Sequence, residues 1–347
     1  MSRAIPRKTL AREGYIFAIY GKIKYLKHAV ASASTIRRYD DDRPIALVCE
    51  QKHHDELKKN NMLDMFDFIY PLGEQHDSIV GFKHNIHEYM LFDRNLYLDC
   101  DMVWCKDPNP LWTSLSSHPF TITGNQTADH FFGGPKNFSI ITDFVLARRQ
   151  RTLDTFGLTY LSRVQSGMMY AQDYELTKKV CLTAAEMLER KDETHFLSRT
   201  LEEGRTEESC EWSLAMAMSK LNIPVHPWLQ GHTSPQLDYI SDLTNHDRDF
   251  EYVSCKYYSN NFIYSFRGLK SKALRNILLK TFSIVPGFGD HLAVVPYALH
   301  FGWYHQKRPF YSFSNRTWNY NLEKSAAERL EKNKAGSEDS VYSDATV

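Results

Sequence analysis

Short apolar runs alternate with amphipathic stretches through the first 125 residues, and the alternation predicts the elements in order. YIFAIY (15–20) reads as a buried strand. KYLKHAVASASTIRRY (24–39) reads as a helix, because Leu26, Ala29, Val30, Ala33 and Ile36 recur at helical spacing. PIALVCE (44–50) is a second strand, with Pro44 at its first position, where it costs no ladder bond. HHDELKKNNMLDMF (53–66) predicts a helix, DFIYPL (67–72) a strand, GFKHNIHEYMLF (81–92) another helix and NLYLDCD (95–101) a fourth strand. PFTITGN (119–125) adds a further strand. Strands alternating with helices of this length predict an α/β fold with a mostly parallel sheet flanked by helices.

Beyond residue 140 the pattern turns helical. DFVLARRQRTLDTF (143–156) and DYELTKKVCLTAAEMLER (173–190) predict helices, and RTLEEGRTEES (199–209) is polar enough for a mobile loop. EWSLAMAMSKLNIPVHPW (211–228) predicts a helix leading into a short strand. LKSKALRNILLKTF (269–282) is basic and amphipathic: a surface helix docked on the domain, or a peripheral contact with an anionic membrane. The tail begins helically, and its last dozen residues, rich in Ser, Asp and Gly, are expected without order.

Composition narrows the picture by exclusion. The 347 residues carry 42 Lys plus Arg against 42 Asp plus Glu, so no global field calls for a nucleic acid. No apolar leader stands before Gly14 and no run approaches 18 apolar residues, which leads us to expect a soluble, cytoplasmic protein. Six cysteines are scattered without a Cys-x-x-Cys pair, so buried thiols are expected rather than a disulfide framework or a zinc site.

The chemistry concentrates in DCD (99–101). A solvated turn tolerates two aspartates, but at the carboxyl end of a strand in an open α/β sheet they sit where such folds bind ligands. Their repulsion there calls for a cation, and a hard divalent metal next to a phosphate answers it. Haloacid dehalogenase-like phosphatases also follow an apolar strand with Asp-x-Asp, the first as nucleophile and the second as general acid. They usually place it on the first strand and favour glycine where Met102 stands here.

Lys83 lies sixteen residues before Asp99, and HFGWYHQKRPF (300–310) offers histidine, glycine and lysine late in the chain. With the Asp-x-Asp strand these resemble the GT-A glycosyltransferases, most closely the family 8 retaining enzymes to which glycogenin belongs. The resemblance spans residues 14 to 312. It implies one GT-A domain over 14–312, with a nucleotide-sugar-binding half (14–125) and an acceptor-side half (126–312), followed by a partly disordered tail (313–347).

The resemblance also implies roles. Asp99, Asp101 and His300 would hold Mn2+ or Mg2+, with Cys100 between the two aspartates. Lys83 would reach the sugar or its phosphate, while Ala18, Tyr20 and Tyr25 would line the nucleoside of a UDP-sugar. Gln165 and Gly167 of QSGMM (165–169) would meet the sugar. In the late motif glycine comes one residue early and lysine two late, leaving Gly302, Lys307 and the alternatives His300 and His305 as its members.

The family's Asp-Gln pair is replaced by Cys210-Glu211. Glu211 would stabilise positive charge at the anomeric carbon or accept a hydrogen bond from the acceptor, or else be a first-turn helix acid. Gln236 and Asp238, in PWLQGHTSPQLDY (227–239), are acceptor-contact candidates. His84, His87 and the tryptophans are expected to pack. The implied activity is transfer of glucose or galactose from a UDP-sugar to an unidentified acceptor with retention, and a nucleotide-sugar-binding protein without turnover is the non-enzymatic alternative.

Overall fold

The computed structural model describes residues 9–126, 145–201, 206–258, 269–285 and 289–343. The chain opens as β1 (Glu13–Ile19), α1 (Lys24–Ile36), β2 (Ile45–Cys49), α2 (Gln51–Lys59) and β3 (Phe68–Pro71). It continues through α3 (Ile79–Lys83), β4 (Arg94–Leu98), β5 (Met102–Trp104), α4 (Asn109–Leu115) and β6 (Phe120–Asn125). Then come α5 (Arg148–Phe156), β7 (Arg163–Ala171), α6 (Tyr174–Glu189), α7 (Glu211–Lys220), β8 (His226–Pro227), β9 (Gln236–Asp238), β10 (Thr244–His246) and β11 (Val253–Tyr258). The described chain ends with α8 (Lys272–Ile284), β12 (His291–Val294), β13 (Ala298–His300) and α9 (Arg308–Ser343).

Seven strands form the main sheet in the order β3-β2-β1-β4-β7-β6-β8. The β3-β2-β1-β4 block and the β6-β8 pair are parallel, and β7 runs antiparallel between β4 and β6. The expected mixed α/β architecture with a mostly parallel sheet is therefore the one observed. Strand β2 is buried at every residue and β1 at most of its own, as strands covered on both faces must be. A second sheet, β5-β13-β9, matters more for the site: β5 is antiparallel and β9 parallel to β13.

Several expectations are corrected. The predicted helix over 81–92 is a single turn, α3, followed by a 3-10 turn at Ile86–Tyr89. Ser78 caps α3 by accepting the Gly81 N–H, and the chain breaks at Asn85, whose amide folds back onto the Gly81 carbonyl at 2.8 Å. The Tyr97 hydroxyl takes the Ile86 carbonyl that a longer helix would have used. The helix predicted from 53 begins two residues earlier and stops at Lys59, with Asn61 in the left-handed region (φ 53°). The helix predicted from 143 starts at Arg148 after a left-handed Ala147 (φ 48°), and residues 143–144 lie outside the described ones. So do 202–205 of the predicted mobile loop.

Helix α9 starts before the 312/313 division and runs on to Ser343. It buries Phe310, Phe313 and Trp318, the last in a core cluster shared with Leu26, Val30 and Ala33 of α1. His84 and His87 are buried, as are Trp104, Trp112, Trp212 and Trp228, in line with packing roles, whereas Trp303, also expected to pack, is half-buried and lines a cleft. Five cysteines are buried and Cys100 is half-buried, all as free thiols. Among the described residues no helix is long and apolar enough to cross a membrane.

Candidate active site

The two sheets meet at Asp99–Asp101. The Asp99 N–H donates to the Gly167 carbonyl at 2.9 Å, tying it to β7 of the main sheet. The Asp101 carbonyl accepts the Phe301 N–H at 3.0 Å, beyond the end of β13 in the small sheet. In that small sheet Met102 pairs with His300 and His300 with Asp238. Backbone register therefore brings together three residues separated by up to two hundred positions.

Asp99, Asp101 and His300 present one oxygen, one oxygen and one nitrogen, all within 4.8 Å of one another. The imidazole Nε2 stands 3.8 Å from Asp99 Oδ2 and 3.6 Å from Asp101 Oδ1. Its Nδ1 lies 2.9 Å from Asp238 Oδ1 and 2.7 Å from Gln165 Nε2. Nδ1 cannot serve both. The Asp238 carboxylate has no proton to give and requires Nδ1–H, so the Gln165 amide donates instead to Asp238 Oδ1, at 3.3 Å. With Nδ1–H on a carboxylate, Nε2 is the atom turned toward the aspartates, the arrangement that orients metal-binding histidines. Two carboxylates and an imidazole fit a small divalent cation of the magnesium or manganese kind.

Two glycines stand close against this ring and the amide beside it. A Cβ on Gly302 would come 2.7 Å from His300 Cε1, and one on Gly167 would come 2.9 Å from Gln165 Oε1 and 3.3 Å from His300 Nε2. Both positions are pinned by close approach, not by a left-handed backbone.

Two ammonium groups balance the carboxylates. Lys83 Nζ contacts Asp99 Oδ1 at 2.8 Å and donates to the Ser166 carbonyl and hydroxyl at 2.8 and 3.0 Å. Lys307 forms an ion pair with Asp101. Burial alone would favour the neutral forms, but the paired charges win. Against its own desolvation, Asp101 is held far below the usual carboxylate range by Lys307 and His300. Lys83 is raised despite burial by Asp99, and Lys307 by Asp101. His300 is raised to about 10: burial opposes its charging, and the hydrogen bonds and charges of Asp101 and Asp238 prevail.

These groups line one cleft of about 350 Å3, within the range of ligand sites. Ala18 of β1, with Tyr20 and Tyr25 after it, lines this cleft together with Asp99, Cys100, Asp101, Gln165, Glu211, Gly302 and Lys307. Glu211, the first residue of α7, accepts the Ser166 N–H at 3.2 Å. His305 sits in the 3-10 turn Tyr304–Gln306, and His300 is the histidine facing the aspartates. Gln236 is fully buried, donating to Thr123 Oγ1 at 2.6 Å and Gln165 Oε1 at 2.9 Å, so it braces Gln165 and cannot touch an acceptor in this conformation.

Two residues escaped the sequence. Ser166 links Lys83 to Glu211. Glu207 accepts the Tyr20 hydroxyl at 3.0 Å and the Ile79 N–H at 2.8 Å, tying together two residues that line the cleft. Asp238, expected as an acceptor contact, lines the cleft and is the partner of His300. Only Ser166 had a signal, its place between Gln165 and Gly167.

No protein-family model matches the chain, and no curated protein matches it. Among solved structures it is similar to the apo glycosyltransferase GlyE of Streptococcus pneumoniae TIGR4, with 12% identity over 93% of this chain and a TM-score of 0.46. The chain spans 64% of that GlyE chain. It is also similar to the galactosyltransferase LgtC in complex with donor and acceptor sugar analogs, with 12% identity, 90% of this chain, 95% of that one and a TM-score of 0.46. The bifunctional glycosyltransferase WbbM gives 12% identity, 93% of this chain, 53% of that one and a TM-score of 0.47. Likeness at this level assigns neither a family nor an activity to the chain.

Proposed function

We propose that the protein is a metal-dependent glycosyltransferase that moves a hexose, glucose or galactose, from a UDP-sugar to an acceptor with retention at the anomeric centre. The observation that carries the reading is the convergence of Asp99, Asp101 and His300 in a cleft that also holds Lys83 and Lys307. Two carboxylates, an imidazole and two ammonium groups form a site for a cation and a diphosphate together.

Asp99, Asp101 and His300 would hold Mn2+ or Mg2+, which when bound offsets the negative charge that gathers on the diphosphate as it leaves. Lys83 and Lys307, here neutralising the aspartates, are the cations that reach the diphosphate oxygens and stabilise the same charge. Ala18, Tyr20 and Tyr25 hold the nucleoside, Cys100 lines the cleft between the two aspartates, and Gly167 and Gly302 leave room for Gln165 and the His300 ring. Gln165 orients His300 through Asp238 and faces the sugar. Glu211 supplies negative charge to the oxocarbenium-like sugar or accepts a hydrogen bond from the acceptor hydroxyl. No protein nucleophile is needed if the departing phosphate takes the acceptor's proton on the same face.

The test is thermal stability with and without manganese against a panel of nucleotides and nucleotide-sugars, for wild type and Asp101→Ala. A ligand bound only by the folded state at a hundred times its Kd adds about 2.7 kcal/mol. Metal-dependent stabilisation by UDP or a UDP-sugar, lost in the variant, is expected. Absence of any shift overturns the reading. Tight UDP-sugar binding without transfer or hydrolysis would mark a binding protein instead. Release of phosphate from an ester, lost in Asp99→Asn and without UDP-sugar binding, would mark a phosphatase.

A further inference from the structure

Helix α8 has two unlike faces. Arg275 and Leu279 are buried, and Leu278 and Phe282 pack beside them against Ile240, Leu243 and Tyr258. Arg275 is fixed there by Asp242 at 3.1 Å and the Leu269 carbonyl at 2.6 Å. On the opposite side Leu274, Ile277 and Ile284 recur at helical spacing and are 44%, 60% and 82% exposed. Val285 extends this face, and the chain turns at Gly289, whose N–H meets the Val285 carbonyl at 3.3 Å, toward Leu292, exposed on the edge strand β12.

Charge says what such a face meets. In a chain with equal numbers of acids and bases, residues 252–289 contain no Asp or Glu and six Lys or Arg. Lys280 borders the apolar face, and Lys270 and Lys272 are exposed at its N-terminal end. A protein partner recognised by bare leucines and isoleucines needs no such basic run, which extends from Lys256 up to the exposed Asp290 and in which, among the described residues, only Arg275 is spent on a buried pair, with Asp242. An anionic lipid surface rewards both halves at once: the apolar side chains enter the acyl boundary while the lysines meet the headgroups.

We infer that α8, with the adjoining end of β12, seats the protein on an anionic bilayer, its axis lying in the interface. The seat adjoins the cleft. Ser241 and Asp242, which carry α8, follow the cleft-lining Asp238 within four residues, and the Ser241 N–H donates to Gln306, next to Lys307.

The test is co-sedimentation of the full chain with vesicles of phosphatidylcholine alone and of phosphatidylcholine with phosphatidylserine. Neither donor nor metal is present, so this result and the donor reading can fail separately. Binding to the anionic vesicles, reversed by raised salt, is expected. Lys270→Glu, Lys272→Glu and Lys280→Glu together should weaken it on the order of a hundredfold. Ile277→Asp with Ile284→Asp, at exposed positions that leave the melting midpoint in place, should abolish it. The inference is overturned by absence of binding at low salt, by binding that survives either set of changes, or by sedimentation equilibrium showing that the face closes a dimer.

Discussion

At the scale of the residue, His300 governs how the site responds to pH. Its folded value, about 10, lies above the ordinary 6.5, so its charged form stabilises the metal-free protein fully below pH 6.5. That contribution is lost as pH rises through about 10. Denaturant midpoints of metal-free wild type should therefore fall between pH 7 and 10, and those of His300→Gln should fall less. A metal needs the neutral imidazole, so manganese affinity should rise over the same window with release of a proton. Titration calorimetry in buffers of different ionisation enthalpy would read that proton directly. Gly302→Ala tests the crowding of the ring, since its Cβ would stand 2.7 Å from His300 Cε1. It should cost about 1–3 kcal/mol of stability and about 10–100-fold in metal affinity.

At the scale of the element, β1 is tied by buried polar bonds to the segment after α1 and to α4, as well as to its neighbouring strands by their ladders. The Tyr15 hydroxyl on β1 donates to Asp40 at 2.6 Å and accepts from Trp112 Nε1 at 3.0 Å, while Asp40 also pairs with Arg43 at 2.9 Å. Tyr15→Phe leaves Trp112 Nε1–H without its acceptor while Asp40 keeps Arg43, costs about 1–3 kcal/mol, and should lower Tm by a few degrees. The same scale explains what could be read in advance. The first three strands announce themselves because an apolar run bounded by amphipathic helices has one economical fold. Asp99 and Asp101 were legible as carboxylates at the end of a strand, whereas His300 was named only through the resemblance of the late motif. The three-residue β5 is too short to display a period, and its partner β13 lies some two hundred positions away. The pairing of Asp238 with His300 depends on that register and has no local signal. The predicted helix over 81–92 failed for a related reason: its spacing was helical, but Asn85 and Tyr97 claim the carbonyls.

At the scale of the whole molecule, α9 belongs to the core as much as any strand does. Trp318 is buried in the cluster containing α1, and Ser325 and Arg329 reach the Asn61 and Lys59 carbonyls at 3.0 and 2.9 Å. Ending the chain after Arg329 should leave the melting midpoint within about 2 °C of the full chain, whereas ending it after Lys307 should prevent folding, because Phe310, Phe313 and Trp318 are lost. The tie of Asp99 to the large sheet and of Asp101 to the small one gives the cleft a mechanical character. An ion gripped by Asp99, Asp101 and His300 would act as a rivet through a seam, fastening two plates otherwise joined there by a short covalent strap and flanking hydrogen bonds. Amide exchange at Asp99 and Phe301, one on each plate, should then slow in concert when manganese is added.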